Sequence, residues 1–392
     1  MTKLVFVLDN MIYGGIERVA INYLKSLDPS KYSIDIIILD PKTEKIVEEI
    51  PSYCNIKYLQ VPRWVCPELF WQLGIKYKGA IVLYPIMYLI MQLVTLLYKV
   101  RMINYPQYDI AIAFSGHVND LHVVKRLLKS RKKVAWLHGA LYQYILLSPA
   151  FEKLYDSFDR KVVLCQHAEE EVYMYKPWLK QNTLKIWNPI PKYEYNNVNQ
   201  ENTSILRSKY KDYILMVGRM NYPHKDHYTV IDAVNILKSE YGLDKKVVFL
   251  GDGPNMEYVK EYAKKLGIES NTIFEGTKSN VEDYYSSAKM LVHSSVAGEG
   301  LPTVILEAMA CGLPVVSTDS QVGPREIIGD EEYGLLCEVK NSKQMASKIA
   351  QLYNDNEKCQ KYIKAGENRI KDFLPESIIP QFENMIAELL KY

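Results

Sequence analysis

The stretch Ser294-Ser295-Val296-Ala297-Gly298-Glu299-Gly300-Leu301-Pro302-Thr303-Val304-Ile305-Leu306-Glu307-Ala308-Met309-Ala310-Cys311-Gly312-Leu313-Pro314-Val315-Val316 decides how the chain folds. The apolar run 290–293 ahead of it reads as a strand, the loop holds Glu299 and Gly300, and a helix begins near Pro302, a residue tolerated in a first turn. Gly312 is a natural left-handed stop for that helix, and Pro314 leads into a second strand at 314–317. In a strand–helix–strand unit the helix N-terminus points at the C-terminal edge of a parallel sheet, where free N–H groups and the dipole favour an anion such as a diphosphate. Glu299 and Glu307, with seven residues between them, then sit in the loop and about one turn into the helix, where carboxylates can accept hydrogen bonds from sugar hydroxyls. Two glutamates at this spacing would ordinarily be surface charges; the Gly-Leu-Pro and Glu-Ala-Met-Ala-Cys-Gly-Leu-Pro surroundings reverse that reading.

The same alternation runs outward in both directions. Apolar runs of strand length at 3–8, 34–39, 109–114 and 133–137, then at 213–217, 246–250, 271–274, 290–293 and 314–317, are each followed by a stretch of helical period. Continuous apolar strands alternating with helices signal parallel sheets covered on both faces. The expected class is α/β with two doubly wound domains, 1–188 and 189–376. The segment from Lys176-Pro177 through Asn188-Pro189-Ile190-Pro191 to about Asn202 resists helix and strand and reads as the linker. An amphipathic helix follows from about Pro380 to Tyr392, and residues 377–392 are expected to pack back on the first domain.

Composition agrees with this plan. The 392 residues, 48% hydrophobic and 24% charged, suit two or three globular domains. With 48 Lys and Arg against 46 Asp and Glu, the net +2 argues against a nucleic-acid binder. Residues 1–195 nevertheless carry 25 basic and 18 acidic side chains, and the remainder 23 and 28, so the halves face different partners. Six scattered cysteines without a C-x-x-C pair indicate neither a disulfide framework nor a structural metal, which points to a reducing compartment. The N-terminus runs straight into the apolar strand Lys3-Leu4-Val5-Phe6-Val7-Leu8, so no signal peptide is expected.

Gly79 to Tyr98 is 20 residues without a charge, bracketed by Lys76, Lys78, Lys99 and Arg101. Its length would span a bilayer. A span would, however, put strand 3–8 and strand 133–137 on opposite sides of the membrane. Tyr84, Tyr88, Gln92, Thr95 and Lys99 recur at helical spacing as one stripe, so the segment reads as a domain helix whose apolar face is either buried in the core or laid on a membrane surface. Residues 125–133 hold six basic side chains in nine, often just a solvated face, although beside an anionic leaflet each could add about 1 kcal/mol.

Taken together, these features resemble the retaining GT-B glycosyltransferases, in particular glycosyltransferase family 4 with its Glu-x7-Glu motif. Gly14-Gly15-Ile16-Glu17-Arg18 matches that family's first glycine loop and helix start, and Trp136-Leu137-His138-Gly139 its histidine after a strand. Gly218-Arg219, with Lys225 six residues after the arginine, matches its phosphate-binding pair. Gly251-Asp252-Gly253-Pro254 and Gly323-Pro324-Arg325-Glu326 match its other loops in the second domain. One departure is Glu299-Gly300-Leu301-Pro302 where many members read Glu-Gly-Phe-Gly; the Leu-Pro form is similar to surface-polysaccharide enzymes.

The resemblance implies two Rossmann-like domains facing an interdomain cleft, with the acceptor bound by the first and a nucleotide sugar mainly by the second. Glu299 would hold donor sugar hydroxyls, His138 would bond the transferred sugar, and Arg219 and Lys225 would take the diphosphate. Gly300, Leu301 and Thr303 would meet sugar and phosphate, and Glu307 the ribose; Gly14, Gly15, Gly218, Gly251, Gly253 and Phe274 complete the donor set. Independently of the family, Gly14-Gly15 lets backbone approach a ligand, and a diphosphate leaving group needs cations because it gains negative charge in the transition state. Neither Gly14-Gly15 nor Gly251-Asp252-Gly253 makes a G-x-G-x-x-G fingerprint, which disfavours a nicotinamide enzyme. With no Asp-x-Asp signature in a strand-end loop, no metal and no other cofactor is expected.

The expected function is transfer of a sugar from a UDP-sugar to a lipid-linked saccharide for surface polysaccharide, by a cytoplasmic protein held peripherally on the anionic inner face of the cell membrane. The alternatives are a transferase with a soluble acceptor and a catalytically idle nucleotide-sugar-binding subunit of a partner enzyme.

Overall fold

A computed structural model describes residues 1–41, 46–62, 65–66, 79–139, 141, 151–191, 198–297, 299–320 and 322–391. Residues 192–197 of the expected linker, Gly298 of the motif loop, and Lys76 and Lys78 lie outside them. The chain forms two compact units, Met1–Pro189 with Ile378–Tyr392, and Ile190–Ser377.

The first unit contains β1 (Thr2–Leu8), β2 (Tyr32–Ile38), β3 (Asn55–Tyr58), β4 (Tyr108–Ala113), β5 (Ser130–Leu137), β6 (Arg160–Val163) and β7 (Thr183–Lys185). They form one parallel sheet in the order β3-β2-β1-β4-β5-β6-β7. The second unit repeats the plan with β8 (Ile214–Val217), β9 (Val247–Leu250), β10 (Thr272–Gly276), β11 (Met290–His293), β12 (Val315–Thr318) and β13 (Leu335–Cys337), in the parallel order β10-β9-β8-β11-β12-β13. Strand order reverses at β1/β4 in one sheet and at β8/β11 in the other. At such a reversal the helices leave to opposite faces, and a crevice opens beyond the strand C-termini.

The first unit's core is aromatic: Tyr23, Phe114, Trp136 and Phe382 are all buried, with ring centroids 5.0 Å apart for Phe114 and Trp136 and 5.4 Å for Tyr23 and Phe382. Phe382 belongs to the helix Pro375–Lys391, most of which is part of this unit. The second unit's main core cluster packs one face of its sheet, with Ile214, Phe249, Val292 and Val316, against helices that carry Val230 and Ile349.

For the helix Ala80–Arg101 the structure removes one of the two sequence alternatives, an apolar face buried in the core. Its buried stripe is Met91 and Thr95, continued by Met102, and Thr95 satisfies its hydroxyl by donating to the Met91 carbonyl at 2.7 Å. The polar stripe is therefore partly the inner one. The outer face carries Val82, Leu83, Ile86, Leu89, Leu93, Leu97 and Val100, with Val82 81% and Leu97 68% exposed. This is not a core helix. By length and composition it could cross a membrane. With β3 before it and β4 after it in one sheet, however, a single crossing is excluded.

Candidate active site

The second unit's reversal point gathers the motif residues. Lys225 lies past β8 and Glu299 past β11, and two backbone bonds tie their loops together: Asp226 N–H to the Ser294 carbonyl at 2.9 Å, and Val296 N–H to the Pro223 carbonyl at 3.1 Å. Thr318, at the end of β12, clamps the second loop by accepting from the Ser295 N–H at 2.9 Å and donating to the Ser295 carbonyl at 2.8 Å. Asp226 caps the following helix, His227–Glu240, by accepting from the Thr229 N–H and hydroxyl.

So placed, Lys225 Nζ donates to Glu299 Oε1 at 2.6 Å and to His293 Nε2 at 3.0 Å. The two charged side chains are only 15% and 11% exposed. Burial alone would raise the Glu299 carboxyl. The adjacent Lys225 charge outweighs burial and holds Glu299 well below the usual carboxylate range. His293 is lowered, first by burial and then by the Lys225 charge, so it is neutral. Because an ammonium only donates, Nε2 accepts and Nδ1–H donates to Ser317 Oγ, 3.0 Å away. Sequence reasoning read His293 only as the end of a strand; its position opening the motif loop was the available signal.

Gly218 leaves room for this lysine, since a Cβ there would stand 3.1 Å from Lys225 Cε. Arg219 is exposed on the same loop. Gly251 and Gly253 have a steric reason of their own. A Cβ on Gly251, whose φ is +129°, would lie 2.2 Å from the Gly218 carbonyl oxygen, and one on Gly253 2.3 Å from that of Met220. Phe274 is half-buried against Phe249, centroids 5.2 Å apart.

Gly300 and Leu301 are buried, and Thr303 opens the helix Thr303–Ala310 with Pro302 as its N-cap. Glu307 lies in that helix's second turn, where Tyr285 Oη donates to its Oε2 at 2.9 Å. Tyr285, buried in the helix Val281–Ser287, is a second residue the sequence did not single out.

His138 and the Gly14–Gly15 pair belong to the first unit. The His138 ring packs edge-on to Phe114, and its Nε2 lies 2.7 Å from the Phe114 carbonyl oxygen, which can only accept. Burial pushes the imidazole down to about 3, so it is neutral, with Nδ1 left as an acceptor. Gly14 is the N-cap of the helix Gly15–Ser26, and Gly15 borders open space.

Residues 198–369 match the family model for Glycosyl transferases group 1. Among curated proteins, the chain is 32% identical over 180 residues to N-acetylgalactosamine-N,N'-diacetylbacillosaminyl-diphospho-undecaprenol 4-alpha-N-acetylgalactosaminyltransferase of Campylobacter jejuni, covering 46% of this chain and 47% of that one. It is 25% identical over 232 residues to the amylovoran biosynthesis glycosyltransferase AmsD of Erwinia amylovora, covering 59% and 63%. The matches thus span about half to two-thirds of these relatives. Among solved structures, Anabaena Alr3699/HepE in complex with UDP-glucose superposes over 100% of both chains with a TM-score of 0.75 at 18% identity.

Proposed function

We propose that this chain, which has the GT-B fold and whose residues 198–369 match the group 1 glycosyl transferases, transfers a sugar from a UDP-sugar to a lipid-linked saccharide in surface-polysaccharide synthesis, with retention at the anomeric carbon. The buried Lys225–Glu299 pair carries the reading. A carboxylate kept ionised in a dry site accepts hydrogen bonds from a neutral sugar's hydroxyls strongly. Cations at its side can meet the diphosphate that departs. In this reading Lys225, Arg219 and the N-terminus of the helix Thr303–Ala310 stabilise the leaving group, so no metal is required for it. The names of similar proteins support the choice of substrates: the Campylobacter relative's includes a diphospho-undecaprenol acceptor, and Alr3699/HepE is known with UDP-glucose.

The membrane part of the proposal rests on the apolar outer face of the helix Ala80–Arg101. Lys99 and Arg101 end this helix, and Lys129 Nζ donates to the Ile103 carbonyl just beyond it at 3.3 Å. An apolar face rimmed by cations suits an anionic leaflet on the cytoplasmic side.

The decisive experiment is UDP release from a panel of UDP-sugars with and without lipid-linked saccharide acceptors, in wild type and in Lys225→Ala, Glu299→Ala and Arg219→Ala. Acceptor-dependent turnover that collapses in the variants supports the assignment; full activity in all three overturns it. Product anomer by NMR tests retention, and turnover after chelation tests metal independence. Flotation with phosphatidylglycerol vesicles at low salt tests the membrane surface, and absence of binding favours a soluble acceptor.

A further inference from the structure

Behind Lys225 a series of polar groups runs inward from the motif loop to the next strand. His293 closes β11 and is paired in register with Ser317 of β12. His293 is 2% exposed, and Ser317 and Thr318 are fully buried. Ser317 has a single hydroxyl proton, and the Thr318 carbonyl oxygen, 3.0 Å from Oγ, can only accept it. Oγ is thereby left as the acceptor for Nδ1–H of His293, 3.0 Å away. The imidazole is neutral, so its Nε2 is a bare lone pair and accepts from the Lys225 ammonium at 3.0 Å. Every bond in the series Lys225, His293, Ser317, Thr318 runs in one direction, fixed from its inner end by a carbonyl.

The outer end of the series is what matters for chemistry. Nε2 of His293 and Oε1 of Glu299 are both acceptors and lie 3.6 Å apart, beyond hydrogen-bond range, so the ammonium bridges them. A lysine ammonium held by one partner turns freely about that bond, because its three donors are rotatable. Held by two, it has all three tetrahedral N–H directions fixed, and the third has no partner among the described residues. The stem is held as well, since it passes Gly218, where a Cβ would stand 3.1 Å from Cε. An uncharged imidazole orients the ammonium without cancelling its charge, whereas a second carboxylate in its place would leave the site net negative toward an anion.

We propose that His293 and Ser317 are positioning residues that aim the remaining N–H of Lys225 at the departing diphosphate, and that they act on the transfer step more than on donor binding. Only the identity of the leaving group is taken from the transferase reading above. When the bond from the anomeric carbon to the diphosphate breaks, its electron pair stays on the diphosphate oxygen. The new charge makes a directed donor worth more in the transition state than in the bound donor, and such an interaction is felt in kcat more than in KM.

The test compares full-length wild type with His293→Leu, His293→Gln and Ser317→Ala, each checked for folding by circular dichroism. Steady-state UDP release is followed with a UDP-sugar of the panel that turns over, and nitrogen NMR of isotope-labelled histidine reads the ring protonation at neutral pH. In His293→Leu, which keeps bulk and loses the acceptor, kcat is expected to fall at least about tenfold while KM for the UDP-sugar changes no more than about threefold. His293→Gln, whose side-chain carbonyl can accept from the ammonium, regains most of that loss, and Ser317→Ala lowers kcat with the same selectivity. The histidine signal that disappears in His293→Gln is that of a neutral ring protonated on Nδ1. Unchanged kcat in His293→Leu and Ser317→Ala, equal losses in His293→Leu and His293→Gln, an effect confined to KM, or a ring protonated on Nε2 overturns the assignment. If His293→Leu does not fold, Ser317→Ala and the NMR signal decide. No turnover of any UDP-sugar by wild type counts against the transferase reading, and calorimetric titration of UDP, which carries the full charge of the leaving group, then decides the positioning role: an affinity lowered about fivefold or more in His293→Leu and restored in His293→Gln supports it, and equal affinities overturn it.

Discussion

Tyr285 Oη donates to Glu307 Oε2 at 2.9 Å, joining the helix that precedes β11 to the helix that follows the motif loop. A carboxylate held this way presents its lone pairs in a fixed direction.

If Glu307 holds the ribose of the donor, Tyr285→Phe weakens UDP binding about tenfold, or about 1.4 kcal/mol. Calorimetric titration of UDP into both proteins checks this; equal affinities would remove Glu307 from the nucleotide site.

Lys225→Ala leaves the Glu299 carboxylate buried and unpaired, which costs about 3–5 kcal/mol at neutral pH. The loss shrinks as pH falls, because the stranded carboxyl takes up a proton more readily. Urea unfolding of wild type and variant at pH 5 and pH 8 should show the gap narrowing at the lower pH.

Gly251→Ala forces a Cβ against the Gly218 carbonyl at a left-handed φ, and the second unit is expected to lose at least about 2 kcal/mol. Gly15→Ala meets nothing within 4 Å, so its melting temperature stays close to that of wild type. Differential scanning calorimetry separates the two.

Glu17 makes stability fall as pH rises. Its folded carboxyl sits at about 7 against the ordinary 4.5, so the folded state keeps a proton that the unfolded chain has released. That contribution is fully present below about 4.5 and lost as pH climbs through 7, a change of about 3 kcal/mol. Glu17→Gln removes this component, so its unfolding free energy should decline less than that of wild type between pH 5 and pH 8. Glu299 acts in the opposite sense, contributing above its ordinary range and failing only in acid.

The central strands were legible because both their faces are buried, which leaves unbroken apolar runs such as Leu4–Leu8 and Met290–Val292. The strands β3, Asn55-Ile56-Lys57-Tyr58, β6, Arg160-Lys161-Val162-Val163, β7, Thr183-Leu184-Lys185, and β13, Leu335-Leu336-Cys337, were not: each has four residues or fewer, and a lysine breaks the apolar run in the first three. The helix Ala80–Arg101 could be read only as far as two alternatives for a related reason. Apolar on nearly every side, it gives periodicity no contrast, and packing rather than pattern selects Met91 and Thr95 for the inside. In the site, Glu299, Glu307 and Lys225 were readable from a motif, whereas His293 and Tyr285 sit in regular elements that look like core. Their roles come from partners brought close by the sheet's reversal, Lys225 lying 68 positions before His293.

The return of residues 378–391 to the first unit bears on the order in which the protein can be made. Phe382 completes an aromatic core whose other members, Tyr23, Phe114 and Trp136, are synthesised long before it. The second unit, Ile190–Ser377, is whole before residues 378–391 emerge and can fold while they are still being added. The first unit, synthesised before the second, keeps an open core until the helix Pro375–Lys391 has been made.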